Sequence, residues 1–335
     1  MTISLTIWCA LALGFTVTAI IKTRRSPKAT RASRTNVRLW RPVDAPTTSE
    51  LSALSNVPAG VAQWVLSPAK PQGSAGEWLE SNPRMLNRKL GHLNNALTRF
   101  DSEQPVLVID ADVLVDEALV DALLGGLEAG AALSWAAPAP EMPGIERGLL
   151  VQSAHSFEVL DAMSPGSSPL CGKAMALSPQ ALEVLRTLPD CVGEDLQLSE
   201  ELHSQRLTTR LVGRAHIPGV RSPRDSFHRF TRWMQVLRAH RPALFPTIPV
   251  FFACTPLLML ASAFAQWPAQ ATFIALAFTR SLLAWKQEGR PSMWWFAGET
   301  LLLASWLRSL SLGTRVTWRG RVLHLGPAGV LQEAR

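Results

Sequence analysis

VLVIDADVLVDEALVDALLGGLEAGAALSWA, residues 106–136, is the stretch whose reading decides the fold. Val106–Ile109 (VLVI) has no polar side chain, the pattern of a strand buried on both faces of a parallel sheet. It ends at Asp110–Ala111–Asp112. Residues 116–129 then read as a helix and 131–136 as the next strand. Strand, helix, strand is the repeating unit of an open α/β sheet. Such sheets bind ligands beyond the carboxyl ends of their strands, which is where the two aspartates stand.

Working outward, Val37–Val43 (VRLWRPV) and Val61–Leu66 (VAQWVL) read as further strands. Thr47–Leu54 reads as a helix with Thr47 or Thr48 as its N-cap, and residues 67–76 as a loop rich in Pro, Gly and Ser. Leu86–Phe100 carries Leu90, Leu93 and Leu97 at helical spacing, with His92 expected on the surface or at a cap. After Gly193–Glu194–Asp195, Leu196, Leu198 and Leu202 mark the core face of another helix. His155, followed by Phe157, is a weak candidate for the wall of a pocket. The domain so outlined covers residues 23–241.

It is flanked by apolar segments. Residues 3–21 carry no charge, and ~19 helical residues nearly cross a ~30 Å hydrocarbon core. A cleaved signal would be preceded by basic residues. Here Lys22, Arg24, Arg25, Lys28, Arg31 and Arg34 follow the run, so residues 1–22 read as a retained anchor, with the domain that follows it, residues 23–241, on the cytoplasmic side. Residues 242–279 also lack charge. They are expected to hold helices near 244–264 and 269–286, turning at Gln266–Trp267–Pro268. Arg280 would snorkel to the interface. A run at 293–311 containing Glu299 either spans or lies in the interface, so residues 242–312 hold two or three membrane helices. Trp285, Trp294 and Trp295 would form an aromatic belt. In the basic tail, 313–335, Val316–Gly326 forms either a hairpin-like strand or a surface segment.

The whole chain has 335 residues and a net charge of +7, with arginine far outnumbering lysine. That bias points to a GC-rich bacterial genome, and the location expected is the bacterial inner membrane. A basic chain could meet nucleic acid, anionic lipid or phosphate. No nucleic-acid motif is present and the basic residues sit beside apolar runs, which excludes nucleic acid in favour of bilayer and phosphate. The four cysteines form no CxxC pair, which argues against zinc or redox chemistry. A Cys171–Cys191 disulfide is not expected in a reducing cytosol.

Three motifs carry candidate chemistry. Asp110-x-Asp112 offers hard oxygen ligands for Mg or Mn shared with a diphosphate; the plainer reading is a turn or helix cap. Glu194 and Asp195 open a helix, where acids suit the dipole, or one of them is a general base acting on a hydroxyl. Arg229–Phe230–Thr231–Arg232–Trp233 is either a membrane-adjacent amphipathic helix or a set of guanidinium groups for a pyrophosphate leaving group.

The order of these motifs, ahead of apolar helices, resembles membrane glycosyltransferases of the ceramide glucosyltransferase type, including bacterial relatives that glycosylate hopanoids and other lipids. The resemblance runs over almost the whole chain. Arg41–Pro42 is similar to the family's Lys-Pro, Asn87–Arg88–Lys89 with Asn94–Asn95–Ala96–Leu97 to its Asn-rich helix start, and Gly172–Lys173–Ala174–Met175 to its Gly-Lys-Ser-Met. It implies a GT-A-like nucleotide-diphospho-sugar transferase domain plus transmembrane helices. Asp110 and Asp112 would hold a divalent metal (Mn or Mg) with the diphosphate, and Asp195 would be the base. Arg229, Arg232, Trp233, Lys89, Arg41 and Glu194 would contact substrate. The implied partners are a nucleotide-sugar donor, a lipid acceptor and the bilayer. One departure stands out: the family has an aspartate for the nucleoside base after its second strand, and residues 45–100 contain no Asp. The alternative is therefore a catalytically silent membrane scaffold or lipid-binding protein on the same fold.

Overall fold

The structure is a computed structural model that describes residues 2–22, 37–100, 103–141, 144–145, 147–148, 170–219, 222–264, 266–288, 291–318 and 321–333. His155 and Phe157 lie outside the described residues. The chain divides into two compact units.

One unit takes in residues 1–24, 142–163 and 220–324. It opens with α1 (Thr2–Lys22). Within α1, Ile3–Ile21 is the one helix among the described residues that is long and apolar enough to cross a membrane. Leu5, Cys9 and Ala12 form its buried face, while Ile3, Ile7, Leu11 and Ile21 are exposed.

The other unit takes in residues 25–141, 164–219 and 325–335. It begins with β1 (Val37–Pro42), α2 (Thr48–Leu54), β2 (Val61–Ser67) and β3 (Glu77–Glu80). Thr47 caps α2 in a capping box with Glu50. Next come α3 (Arg88–Leu97), β4 (Val106–Ile109), α4 (Glu117–Glu128) and β5 (Leu133–Pro140). They are followed by β6 (Ala174–Leu177), α5 (Pro179–Arg186), α6 (Glu194–Ser204) and β7 (Thr209–Ile217). The strands form a seven-stranded sheet in the order β3-β2-β1-β4-β6-β5-β7. β1 pairs parallel with β2 and β4, while β6 runs antiparallel between β4 and β5. Chain order thus reverses at β1, the kind of switch point at which open α/β sheets bind ligands. Under the sheet lies a dry core of Leu39, Leu107, Ile109, Val120 and Leu123.

β3 was not foreseen: its EWLE sequence is short and its residues are at best half-buried. His92 corrects the expectation of a surface position. It is 1% exposed, because α3 packs on β1, β2 and α5, and it bridges Ser81 Oγ (2.8 Å) and Asp44 Oδ1 (2.9 Å).

The first unit resumes with α7 (Pro223–His240), a π-helical turn (Ile248–Phe252), α8 (Thr255–Ser262), α9 (Trp267–Glu288) and α10 (Trp294–Leu312). The single helix expected at 244–264 is broken into two short pieces. Pro246, Pro249 and Pro256 remove backbone donors within it, which helix interiors do not tolerate. Arg280 does not snorkel. It is 1% exposed, with Nε 3.5 Å from Glu299 Oε1 and the guanidinium also donating to the Phe251 carbonyl. Trp295 is likewise buried rather than in a belt, whereas Trp285 and Trp294 are exposed. Residues 315–318 and 321–324 pair antiparallel, the hairpin alternative for the tail.

Candidate active site

The site grows from the ends of β1, β4 and β6. Because Ile109 pairs with Ala174, the residue after β4 lies beside the residue before β6, and Asp110 N donates to Lys173 O at 2.9 Å. Their side chains meet as well. Lys173 Nζ is 2.9 Å from Asp110 Oδ2 and 2.6 and 2.7 Å from the Asp112 oxygens. From the first turn of α3, Lys89 Nζ reaches Asp110 Oδ1 at 2.8 Å and Glu194 Oε1 at 3.3 Å, and it donates to Gly172 O at 2.6 Å.

Arg41, at the end of β1, is fully enclosed. Its Nη2 donates to the carbonyls of Asp110, Ala111 and Val113 at 3.2, 3.2 and 2.9 Å. The structure therefore gives Arg41 a loop-holding part: it fixes the backbone that carries Asp110 and Asp112. Burial lowers its guanidinium to about 10, opposed by Asp110 and Asp112.

Glu194 and Asp195 start α6 from Gly193, whose φ of 84° suits glycine. The segment before them is pinned by the chain's C-terminal stretch. Val192 N donates to Gly329 O, and Leu331 N to Asp190 O, each at 2.9 Å. Asp190 in turn accepts from Leu86 N (2.6 Å) and Asn87 N (2.8 Å), tying the start of α3 to the start of α6. Asn87 Nδ2 completes the tie by donating to Glu194 Oε2 at 2.9 Å. Asp195 accepts from Gly172 N and Leu196 N, both at 2.9 Å. A side chain at Gly172 would crowd both Lys89 and Asp195.

Charge in this cluster is uneven. Asp110, Asp112, Glu194 and Asp195 outnumber Lys89, Lys173 and Arg41. Burial opposes charge on Asp110, but Lys173 and Lys89 hold its carboxyl below the usual range. Burial also opposes the Lys89 ammonium, and Asp110 and Glu194 more than restore it. Asp195 goes the other way: burial, then the neighbouring Glu194 charge, push it up to about 6 against the help of the Gly172 N–H and Lys89. A carboxylate near neutrality, held by two N–H donors, suits proton abstraction from a hydroxyl.

Among the described residues no group of three or more His, Cys, Asp or Glu side chains could hold a metal unaided. A cation at Asp110 and Asp112 would need further ligands from outside this carboxylate pair, as Mg, which keeps waters and takes phosphate oxygens, commonly does.

Arg229, Arg232 and Trp233 stand on α7, in the other unit. The Arg229 guanidinium lies 4.7 Å from the Trp233 ring centroid, and the Phe230 ring 4.8 Å from it. Sequence reasoning quoted Lys173 only within a motif and did not single out Asp190. Both take their places through pairings remote in sequence.

Residues 70–331 match glycosyl transferase family 21. No curated protein matches the chain by sequence. Among solved structures, a mannosyltransferase from Pyrobaculum calidifontis in complex with GDP-Man and Mn2+ is 16% identical. The likeness covers 92% of this chain and 99% of that one, with a TM-score of 0.55. Glucosyl-3-phosphoglycerate synthase from Mycobacterium tuberculosis, with Mn2+, UDP and glucosyl-3-phosphoglycerate, is 20% identical over 63% of this chain and 85% of that one, at a TM-score of 0.39. The mannosyltransferase likeness is one of fold, and the sheet unit has the GT-A-like architecture.

Proposed function

The chain belongs to glycosyl transferase family 21, and from that premise we propose that it moves a hexose from a nucleotide-sugar, UDP-linked, to a hydroxyl of a membrane lipid. The observation that carries this reading is the pairing of Asp195, raised to about 6, with the Asp110–Lys89–Lys173 cluster at the sheet's switch point. Asp195 takes the acceptor's proton. Lys89 and Lys173 lower the cost of gathering negative charge as the sugar–diphosphate bond breaks. Arg229, Arg232 and Trp233 contribute to donor and acceptor binding. One base and one displacement at the anomeric carbon give an inverted product.

Asp110 and Asp112 would hold a divalent metal, Mn or Mg, which when bound would supply Lewis-acid neutralisation of the leaving diphosphate. The mannosyltransferase of similar fold was solved with Mn2+, which supports this choice. The acceptor reading rests on the apolar surface of the other unit. α1, α9 and α10 expose Ile3, Ile21, Phe278 and Leu307, a surface for lipid rather than water. The unit is read as embedded in the bacterial inner membrane with the sheet unit cytoplasmic. The support for the silent-scaffold alternative is the absence of Asp from residues 45–100; against it stands the cluster that brings Asp110, Asp112, Lys89, Lys173, Glu194 and Asp195 together.

The test is sugar transfer in membranes that contain the protein. UDP-glucose, UDP-galactose, UDP-N-acetylglucosamine and GDP-mannose, each labelled, are offered with Mn2+ or Mg2+, and lipids are extracted. Label should enter lipid with the native chain, and Asp195→Asn should lower the rate by ~10²–10⁴-fold. Absence of label with every donor, together with no nucleotide-induced thermal shift, would overturn the reading in favour of the scaffold.

A further inference from the structure

We propose that Lys173 is the resident cation of the Asp110–Asp112 site, a tethered ammonium that a divalent metal must displace and that thereby couples metal binding to donor binding. The inference rests on the reading above, that this aspartate pair binds metal with the donor's diphosphate. Three carboxylate oxygens from two residues converge on one Nζ, at 2.6, 2.7 and 2.9 Å. Mg sits about 2.0–2.1 Å from its oxygen ligands, and an ammonium and a metal cannot share the same convergence point.

The two lysines are held differently. Lys89 keeps Glu194 and the Gly172 carbonyl as partners even without Asp110, so it stays in place when Asp110 turns to a metal. Lys173 directs its ammonium to Asp110 and Asp112. Its backbone is fixed, because Lys173 O accepts from Asp110 N and Ala174 is already in register with Ile109. Its flexible four-carbon stem is then the part that moves. The aspartates do not wait as a bare anionic pair, which would be costly to keep half-buried. The ammonium satisfies them until metal and diphosphate arrive together. At that point the displaced Nζ is left beside new negative charge and binds it. A metal without a diphosphate offers no such compensation, so the site favours the two ligands jointly.

The experiment measures Mn2+ binding to the purified full chain in detergent, by the electron paramagnetic resonance signal of free Mn2+, with and without UDP or GDP. Lys173→Met should bind Mn2+ at least about fivefold tighter than native when no nucleotide is present. With nucleotide the advantage should vanish or reverse. Lys173→Arg, which keeps the charge, should stay near native, and Lys173→Gln serves if the methionine variant does not fold. Native-like or weaker Mn2+ binding by the methionine or glutamine variant without nucleotide, while the native chain binds Mn2+ with nucleotide, overturns the tethered-cation role and leaves the metal site standing. If no form binds Mn2+ under any condition, the metal reading itself falls and this inference with it.

Discussion

Each unit of this molecule buries charge, and the two do so for different ends. In the helical unit, Arg280 and Glu299 are a single pair, 1% and 0% exposed. Both are committed to their surroundings: the guanidinium to Phe251 O, and the other Glu299 oxygen to Thr255 N at 3.0 Å, at the start of α8. In the sheet unit, Asp110, Asp112, Lys89, Lys173 and Glu194 keep 13–23% of their side chains exposed. Lys89 and Lys173 each contact two of the acids and share Asp110, and the acids are in excess. A closed, one-to-one pair can only hold elements together. An open, unbalanced cluster at a switch point can exchange partners, and only that arrangement has somewhere to put a ligand's charge.

The largest effect that separates them is on stability. Arg280→Met leaves Glu299 buried without its cation, and breaking such a pair costs about 3–5 kcal/mol. Arg280→Met with Glu299→Gln should recover most of that, since replacing a buried pair with uncharged groups is often neutral. Chemical unfolding of the purified chain, followed by tryptophan fluorescence, checks both. Transfer per folded molecule should not change. A single variant with native stability would mean that water reaches the pair, and the contrast drawn above would collapse.

The next effect is a pH profile confined to the sheet unit. Asp195 must be ionised to act as a base and is held at about 6, so transfer should fall about tenfold by pH 5. Its stability signature has a defined sign. Between the ordinary aspartate value of 3.8 and about 6, the folded chain keeps a proton that the unfolded chain releases. This group's contribution to stability therefore falls as pH rises through that window. Asp195→Asn should lack that component. Initial rates and thermal midpoints across pH 4–8, native against variant, decide the matter; a rate that stays flat to pH 5 removes Asp195 as the base.

What the sequence showed of this contrast was uneven, for physical reasons. β4 was legible to the residue because a strand buried on both faces has no polar interruption, and the start of α2 was legible to within one residue, Thr47 or Thr48, because an N-cap is a local signal. The Asp110 loop and the Glu194–Asp195 helix start were legible as types. Their meeting was not, because it depends on the Lys173–Asp112 contact that the β4–β6 register brings about and on the Asp190 bridge to Asn87, pairings that span 61 and 103 residues. In the helical unit, apolar composition outweighed the prolines that break the 244–264 segment. Arg280 looked like a snorkelling end because its partner, Glu299, lies on a different helix.

The smallest effect sharpens the comparison most finely. Gly172 is where the sheet unit's cluster is tightest: a Cβ there would stand 2.9 Å from Lys89 Nζ and 3.3 Å from Asp195 Cβ. The first contact is with the end of a flexible side chain, which can yield. The second is with a carboxylate held by two N–H donors, which yields less. Gly172→Ala should therefore misalign the cluster rather than loosen the fold, raising the barrier to transfer by about 1 kcal/mol. It should appear as a roughly fivefold fall in transfer with little change in the unfolding midpoint. The reason is the same openness that distinguishes the cluster from the helical pair: a partly exposed cluster absorbs a methyl group by shifting an ammonium, at the expense of alignment. A packed pair like Arg280–Glu299 has no such slack. A Gly172→Ala chain that lost stability instead, with its transfer rate per folded molecule intact, would show that the cluster is as rigid as the helical pair, and that Lys89 is a structural pin like Arg280.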